Sequence, residues 1–167
     1  MTKIGLLSDT HSYIHSEMVA FFSGCDEIWH AGDIGDINII SDLETIAPVR
    51  AVYGNIDDAN IRQHFSENLV FNIDGQKIFM THIGGYPGKY QPEARKIIEK
   101  EKPDLFISGH SHILKVIHDD KRNLLHINPG AAGKVGLHKY ATAVTFQIDN
   151  NSFENLQVFE KERKRLK

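Results

Sequence analysis

The sequence predicts an α/β fold organised around parallel strands, and three observations carry that prediction. Short, β-rich apolar runs, each closed by polar or glycine residues, recur from the N-terminus through residue 108. Segments with helical spacing fill the gaps between the first three runs. After residue 113 the helical spacing gives way to β-rich runs joined by polar turns.

Taken in order, "KIGLL" ends before Ser8, "EIWH" before Ala31, "VRAVY" before Gly54, "KIFMT" before His82 and "DLFIS" before Gly109. In 14–23, Met18, Phe21 and Phe22 share a helical face; in 37–47, Ile39, Ile40, Leu43, Ile46 and Ala47 do the same. A βαβαβ opening of this kind favours parallel pairing with right-handed crossovers. Asp74-Gly75, between apolar runs in "VFNIDGQKIFM", predicts a hairpin. Pro92 opens a helix through "EARKIIEKEK", and Pro103 stops it. "KVIHD" and "LLHIN", then "ATAVTFQID" and "NLQVF", read as strands around polar turns. The division expected is one domain over 1–160 and a charged C-terminal tail, a solvated helix end or frayed segment, over 161–167.

Composition narrows the function classes. A formal charge of −3 and a pI near 6.3 give no general attraction to nucleic acid or to an anionic membrane surface. Cys25 is the only cysteine, which rules out an internal disulfide and a thiolate metal cluster and fits a reducing compartment. The N-terminus lacks the pattern of a secretory signal, and no apolar stretch approaches the roughly 20 residues of a membrane span. The expectation is a cytoplasmic protein without a membrane partner.

The chemistry gathers where the apolar runs stop. Asp9 and His11 follow the first run, Asp33 the second, Asn55 the third, His82 the fourth, and His110 and His112 the fifth. In an open α/β sheet, functional groups collect beyond the carboxyl ends of the strands, so sequence-distant loops would bring these residues to one edge. Within "DTH" and "HSH" the spacing of two would point both side chains the same way on extended backbone. Gly32, Gly54 and Gly109 suit sharp turns or close approach of the backbone beside these residues. Carboxylate, imidazole and amide donors without sulfur suit divalent manganese, iron, cobalt, nickel or zinc. The set is larger than one ion usually takes; with one bridging carboxylate it suffices for two ions about 3.5–4 Å apart, the arrangement used in phosphoryl displacement. Two divalent ions against two carboxylates leave a net positive centre, which makes a phosphate ester the natural substrate class.

This ordered set resembles the calcineurin-like metallophosphoesterases, especially their small prokaryotic branch. The matching motifs are "SDTH" at 8–11, "GDIGD" at 32–36, "GNID" at 54–57, "THIGG" at 81–85 and "GHSH" at 109–112, with "NPGA" at 128–131 similar to the branch's Asn-Pro-Gly-Ser turn. The resemblance runs from Lys3 to about Phe146. It implies a four-layer α/β/β/α sandwich of two mixed sheets flanked by helices, with two metals at the strand ends. Carried over by residue, one metal takes Asp9, His11, Asp33 and His112; the other takes Asp33, Asn55, His82 and His110, so that Asp33 bridges. Asp33, Asn55 and His82 are the expected catalytic residues and manganese the first candidate metal, with nickel, iron, cobalt or zinc as alternatives. The implied activity is phosphodiester hydrolysis, with a metal-bridging hydroxide attacking phosphorus in line while the ions and Asn55 hold the phosphate oxygens. Larger members carry His after Gly-Asn; here Ile56 stands there and cannot donate a proton. Homo-oligomers are common in families like this.

Other polar residues read more simply. His15, His30, His64, His118, His126 and His138 are packing or surface residues, with His138 the best placed to fold back near the site because it follows the loop "NPGAAGKVG". Asp36 and Asp57 cap a helix and a turn. Arg62 and Lys89 are solvated charges with phosphate contact as the second reading, and Trp29 is core. The rival function is a protein-binding scaffold of the same fold, as in a retromer subunit that resembles these enzymes, against which stands the full ligand set.

Overall fold

The computed structural model describes residues 1–164. In chain order, β1 (Thr2–Leu7), α1 (Ser16–Phe21), β2 (Glu27–His30), α2 (Asn38–Glu44) and β3 (Val49–Ala51) form the expected βαβαβ opening. Then come α3 (Ala59–His64), β4 (Asn68–Ile73), β5 (Gln76–Thr81), β6 (Gly85–Tyr86), β7 (Lys89–Tyr90), α4 (Pro92–Glu101) and β8 (Leu105–Ile107). The chain closes with β9 (Leu114–Asp119), β10 (Leu124–Pro129), β11 (Tyr140–Asp149) and β12 (Ser152–Glu162). One sheet has the order β12-β11-β1-β2-β3 and the other β4-β5-β8-β10-β9, each with five strands, while β6 and β7 form a small ribbon. Both sheets are mixed. β1, β2 and β3 are parallel, as are β5, β8 and β10; β11, β12, β4 and β9 pair antiparallel.

Strand alternation builds the layers. Ile4 and Leu6 of β1, Trp29 of β2, Ile78 and Met80 of β5, and Leu105 and Ile107 of β8 meet in one buried cluster between the sheets. The intervening residues turn outward: Leu7 and Ile28 join Met18 of α1, Ile39, Ile40 and Leu43 of α2 and Ile61 of α3, while Phe79 and Phe106 join Ala94 and Ile98 of α4. The result is the four-layer sandwich with helices outside. Gly5 is fixed by this packing, since a Cβ there would lie 2.6 Å from the ring of Phe22. Trp29 is fully buried, and its indole N–H donates to Glu27, which also takes two bonds from Arg50.

Local signals act as expected in the clearest cases. Asp74 (φ 46°) and Gly75 (φ 78°) both take positive φ in the two-residue turn between β4 and β5, the geometry that matches strand twist. Helix α4 begins at Pro92 and ends on Lys102 in the left-handed region, before Pro103. Three features depart from expectation. The third strand stops at Ala51, with Val52 making only an isolated bridge to Ser66. Helix α3 was not anticipated; it is six residues long and starts on Asp58, whose carboxylate accepts from Ile61 N at 3.1 Å. The expected charged tail over 161–167 begins as strand instead of helix end, because Lys161 and Glu162 pair with Ala141 and Tyr140 of β11; residues 165–167 lie outside the described residues. Among the described residues no helix is long and apolar enough to cross a membrane.

Candidate metal centre

The carboxyl ends of β1, β2 and β3 in one sheet and of β5 and β8 in the other face a common edge, and the loops leaving them bring the polar residues together. Two groups of donors form. Asp9, His11 and His112 place ligand atoms within 4.8 Å of one another, as do Asp33, His82 and His110. Asp33 Oδ2 lies between them, 3.4 Å from His11 Nε2 and 3.2 Å from His82 Nε2. Asp9 Oδ1 lies 3.1 Å from His112 Nε2, 3.8 Å from His82 Nε2 and 3.9 Å from His11 Nε2. Asn55 sits at the exposed rim, its Oδ1 3.1 Å from His110 Nδ1. All the residues singled out at the strand ends are therefore brought to one place.

The backbone achieves this differently from the expectation of extended pairs. Asp9 (φ 56°), His11 (φ 45°), Asp33 (φ 55°), His110 (φ 71°) and His112 (φ 60°) all take left-handed backbone, a region non-glycine residues seldom occupy. Such strain persists only where the surroundings over-determine it. Gly54 makes one of the close approaches: a Cβ there would lie 2.0 Å from Asp33 Oδ1.

Each carboxylate is held through one oxygen and turns the other toward the imidazoles. Asp9 Oδ2 accepts from Ser8 Oγ (2.6 Å) and His110 N (3.1 Å); Asp33 Oδ1 accepts from Ile56 N (3.1 Å). Asp9 Oδ1, His11 Nε2 and His82 Nε2 are buried without a hydrogen-bond partner. Nitrogen Nδ1 of His82 donates to Ala31 O at 2.8 Å, which turns the lone pair of Nε2 toward the two carboxylates. Burial opposes ionisation of Asp9, but His112, His82 and Ser8 outweigh it and hold its carboxyl below the usual range. Burial likewise opposes the charge on Asp33, and contact with His82 reverses the balance. His82 is raised: burial disfavours its cation, and the Asp33 and Asp9 carboxylates more than compensate. Buried, unpartnered polar atoms on carboxylate and imidazole, clustered within a few ångströms of one another, fit divalent cations.

Several residues hold this arrangement without joining it. Asp57, expected to cap a turn, is buried and accepts from Ile34 N (3.1 Å), Gly35 N (2.8 Å) and Gly54 N (2.7 Å), tying the Asp33 loop to the Asn55 loop. Its place two residues after Asn55 was the only signal in the sequence. Asp36 caps as expected, accepting from Asn38 N. Arg62 is not a free phosphate contact, since its guanidinium donates to Asp57 O (2.7 Å) and Asn55 O (3.3 Å) and stacks over Tyr53. Lys89 lies on β7, lining a cavity with Tyr90, Arg95 and Arg122. His30 is core, accepting from Gly32 N at 3.1 Å and paired with Thr10 Oγ1 at 2.9 Å; burial lowers it to about 4. His126 is also buried and lowered by burial to about 4. His15 packs on Tyr13, His64 bonds Asn60 O and His118 pairs with Asp120. His138 differs from these in standing edge-on to His112, ring centroids 5.1 Å apart.

Comparison with known proteins agrees with this geometry. Residues 2–151 match the calcineurin-like phosphoesterase superfamily domain. A probable metallophosphoesterase of Methanocaldococcus jannaschii is 34% identical over 134 residues, 77% of this chain and 67% of that protein. Among solved structures, one described as a novel archaeal phosphodiesterase has a TM-score of 0.74 at 24% identity, covering 94% of this chain and 99% of that one. Vps29 of Entamoeba histolytica, solved in complex with zinc, has a TM-score of 0.74 at 18% identity, covering 96% and 98%. With loops from both sheets converging on one carboxylate and imidazole centre, and a family match across most of its length, the chain belongs to the calcineurin-like phosphoesterase superfamily.

Proposed function

We propose that the protein is a metal-dependent phosphodiesterase working through a dinuclear centre. The observation that carries the reading is the set of buried, unpartnered atoms, Asp9 Oδ1, His11 Nε2 and His82 Nε2, gathered around Asp33 Oδ2, which lies 3.4 Å from His11 Nε2 and 3.2 Å from His82 Nε2. One ion would be held by Asp9, His11, His112 and Asp33, the other by Asp33, Asn55, His82 and His110. Bound there, two divalent ions supply an acidified water and positive charge for the phosphoryl oxygens. Manganese is the first candidate, and nickel, iron, cobalt and zinc satisfy the same donors.

The chain's own residues do the remainder. Asp33, anchored through Oδ1 by Ile56 N, keeps Oδ2 shared between the two halves. His82, tethered to Ala31 O, cannot swing away when a ligand leaves. Asn55, exposed at the rim, offers an amide N–H to a phosphate oxygen. Ile56, 45% exposed beside it, supplies no proton to the departing alcohol, so diesters with good leaving groups are the favoured substrates. We place the protein in the cytoplasm, as its single, buried cysteine fits a reducing compartment.

The test is hydrolysis of a chromogenic aryl phosphodiester and the matching monoester by chelator-stripped protein, before and after Mn²⁺. Activity restored by metal and faster on the diester supports the reading. No turnover with any of these metals, although two ions are bound, would transfer the assignment to the scaffold reading, to which the likeness to Vps29 also points.

A further inference from the structure

The loop 134–138 crosses one flank of the centre. Arg163, just beyond β12, holds it: the guanidinium donates to Gly136 O at 3.0 Å and also to Lys134 O and His138 O, while Arg163 N donates to Lys139 O at 2.9 Å. Within this loop, His138 donates from Nε2 to Gly133 O at 3.1 Å, which leaves Nδ1 as a lone pair; Nδ1 is buried and without a partner. The ring stands at 83° to that of His112, centroids 5.1 Å apart. A Cβ on Gly136 would lie 2.3 Å from His112 Nδ1 and 3.0 Å from His138 Nδ1, so both nitrogens front the same small gap and only glycine leaves it open.

These contacts are complementary. When Nε2 of His112 gives its lone pair to an ion shared with Asp9 Oδ1, 3.1 Å away, the ring's remaining proton belongs on Nδ1, facing the His138 lone pair. His82 has a backbone carbonyl for the corresponding proton and His110 has the Asn55 side chain, whereas for His112 the facing acceptor is His138. We propose that His138 is a positioning residue that receives the Nδ1 proton of His112, directly or through one water, and so fixes the ring's tautomer and aim toward the metal held with Asp9 and His11. The proposal rests on the reading of those residues as metal ligands. Arg163 acts one step further out, holding the loop that carries His138.

The experiment is calorimetric titration of chelator-stripped protein with Mn²⁺. The wild type is expected to bind two ions. His138→Phe, which keeps a ring but removes the acceptor, is expected to weaken one of them about 10- to 100-fold and leave the other unchanged. His138→Asn, which returns an acceptor oxygen near the Nδ1 position, should recover most of that loss. Unchanged affinity for both ions in His138→Phe, or equal weakening of both, overturns the proposal. Should His138→Phe not fold, Arg163→Gln reads the same one-ion loss with His138 intact. A wild type that binds both ions but cleaves no phosphodiester removes the proposed activity and leaves this role standing; one that binds no Mn²⁺ removes both.

Discussion

Between the two sheets, Ile4, Leu6, Trp29, Ile78, Met80, Leu105 and Ile107 stand on regular strands and touch apolar neighbours from both layers. A few residues further along the same strands, Asp9, His11, Asp33, His110 and His112 take left-handed backbone, and Asp9, His11 and His82 keep buried atoms unpartnered. The interior lowers the free energy of the fold, while the edge raises it by roughly 1–3 kcal/mol for each strained residue. What the contrast teaches is that the rim is shaped for something other than stability, and that the sheets behind it are what hold it in shape.

Substitutions on the two sides should therefore separate function from folding. The largest functional effect is expected from Asp33→Asn: metal-dependent phosphodiester turnover falls to background while the thermal midpoint of the metal-free protein stays within a few degrees of wild type. Full activity would break the contrast at its centre. Phe22→Ala, remote from the ligands, should do the reverse, costing about 3–5 kcal/mol in urea unfolding and leaving Mn²⁺ affinity per folded molecule unchanged.

Acid should strike the interior through two histidines. His30 and His126 titrate near 4 in the folded protein because burial disfavours their cations, against about 6.5 for an ordinary histidine. Below pH 6.5 the unfolded chain takes up their protons first, so the stability they contribute is present above 6.5 and is lost as pH falls toward 4, on the order of 3 kcal/mol for each. Urea midpoints measured with chelator at pH 7 and pH 4.5 test this. His82 acts in a different window: its raised value stabilises the metal-free protein below 6.5, and that contribution fades as pH rises through the folded value. The smallest effect is expected at the β4–β5 turn, where Gly75→Ala places a side chain at φ 78° and should cost about 1–2 kcal/mol with no change in metal binding.

The same contrast explains what could be read from the amino-acid sequence. Strand and ligand positions were legible because alternation along "KIGLL" or "DLFIS" and the polar residues after each run are local signals. Helix α3 was not, since six residues with one buried apolar position carry too little periodicity. The left-handed turns at Asp9 and His110 were hidden because they arise from contacts between loops, such as His110 N with Asp9 Oδ2, that are 101 residues apart. Asp57 does cap backbone donors and His138 does fold back beside the site, but their particular partners, like those of Arg62, were hidden for the same reason: each is defined by the distant backbone or ring it meets.

Arg163 carries a practical consequence for anyone handling the protein. Its guanidinium reaches three carbonyls of a loop that begins 29 residues earlier and lies against His112. Proteolytic nicking after Glu162 during purification would leave both sheets intact on a gel and in a melting curve, yet give a preparation whose metal content no longer represents the native protein. Intact mass should therefore be checked before any metal stoichiometry is believed.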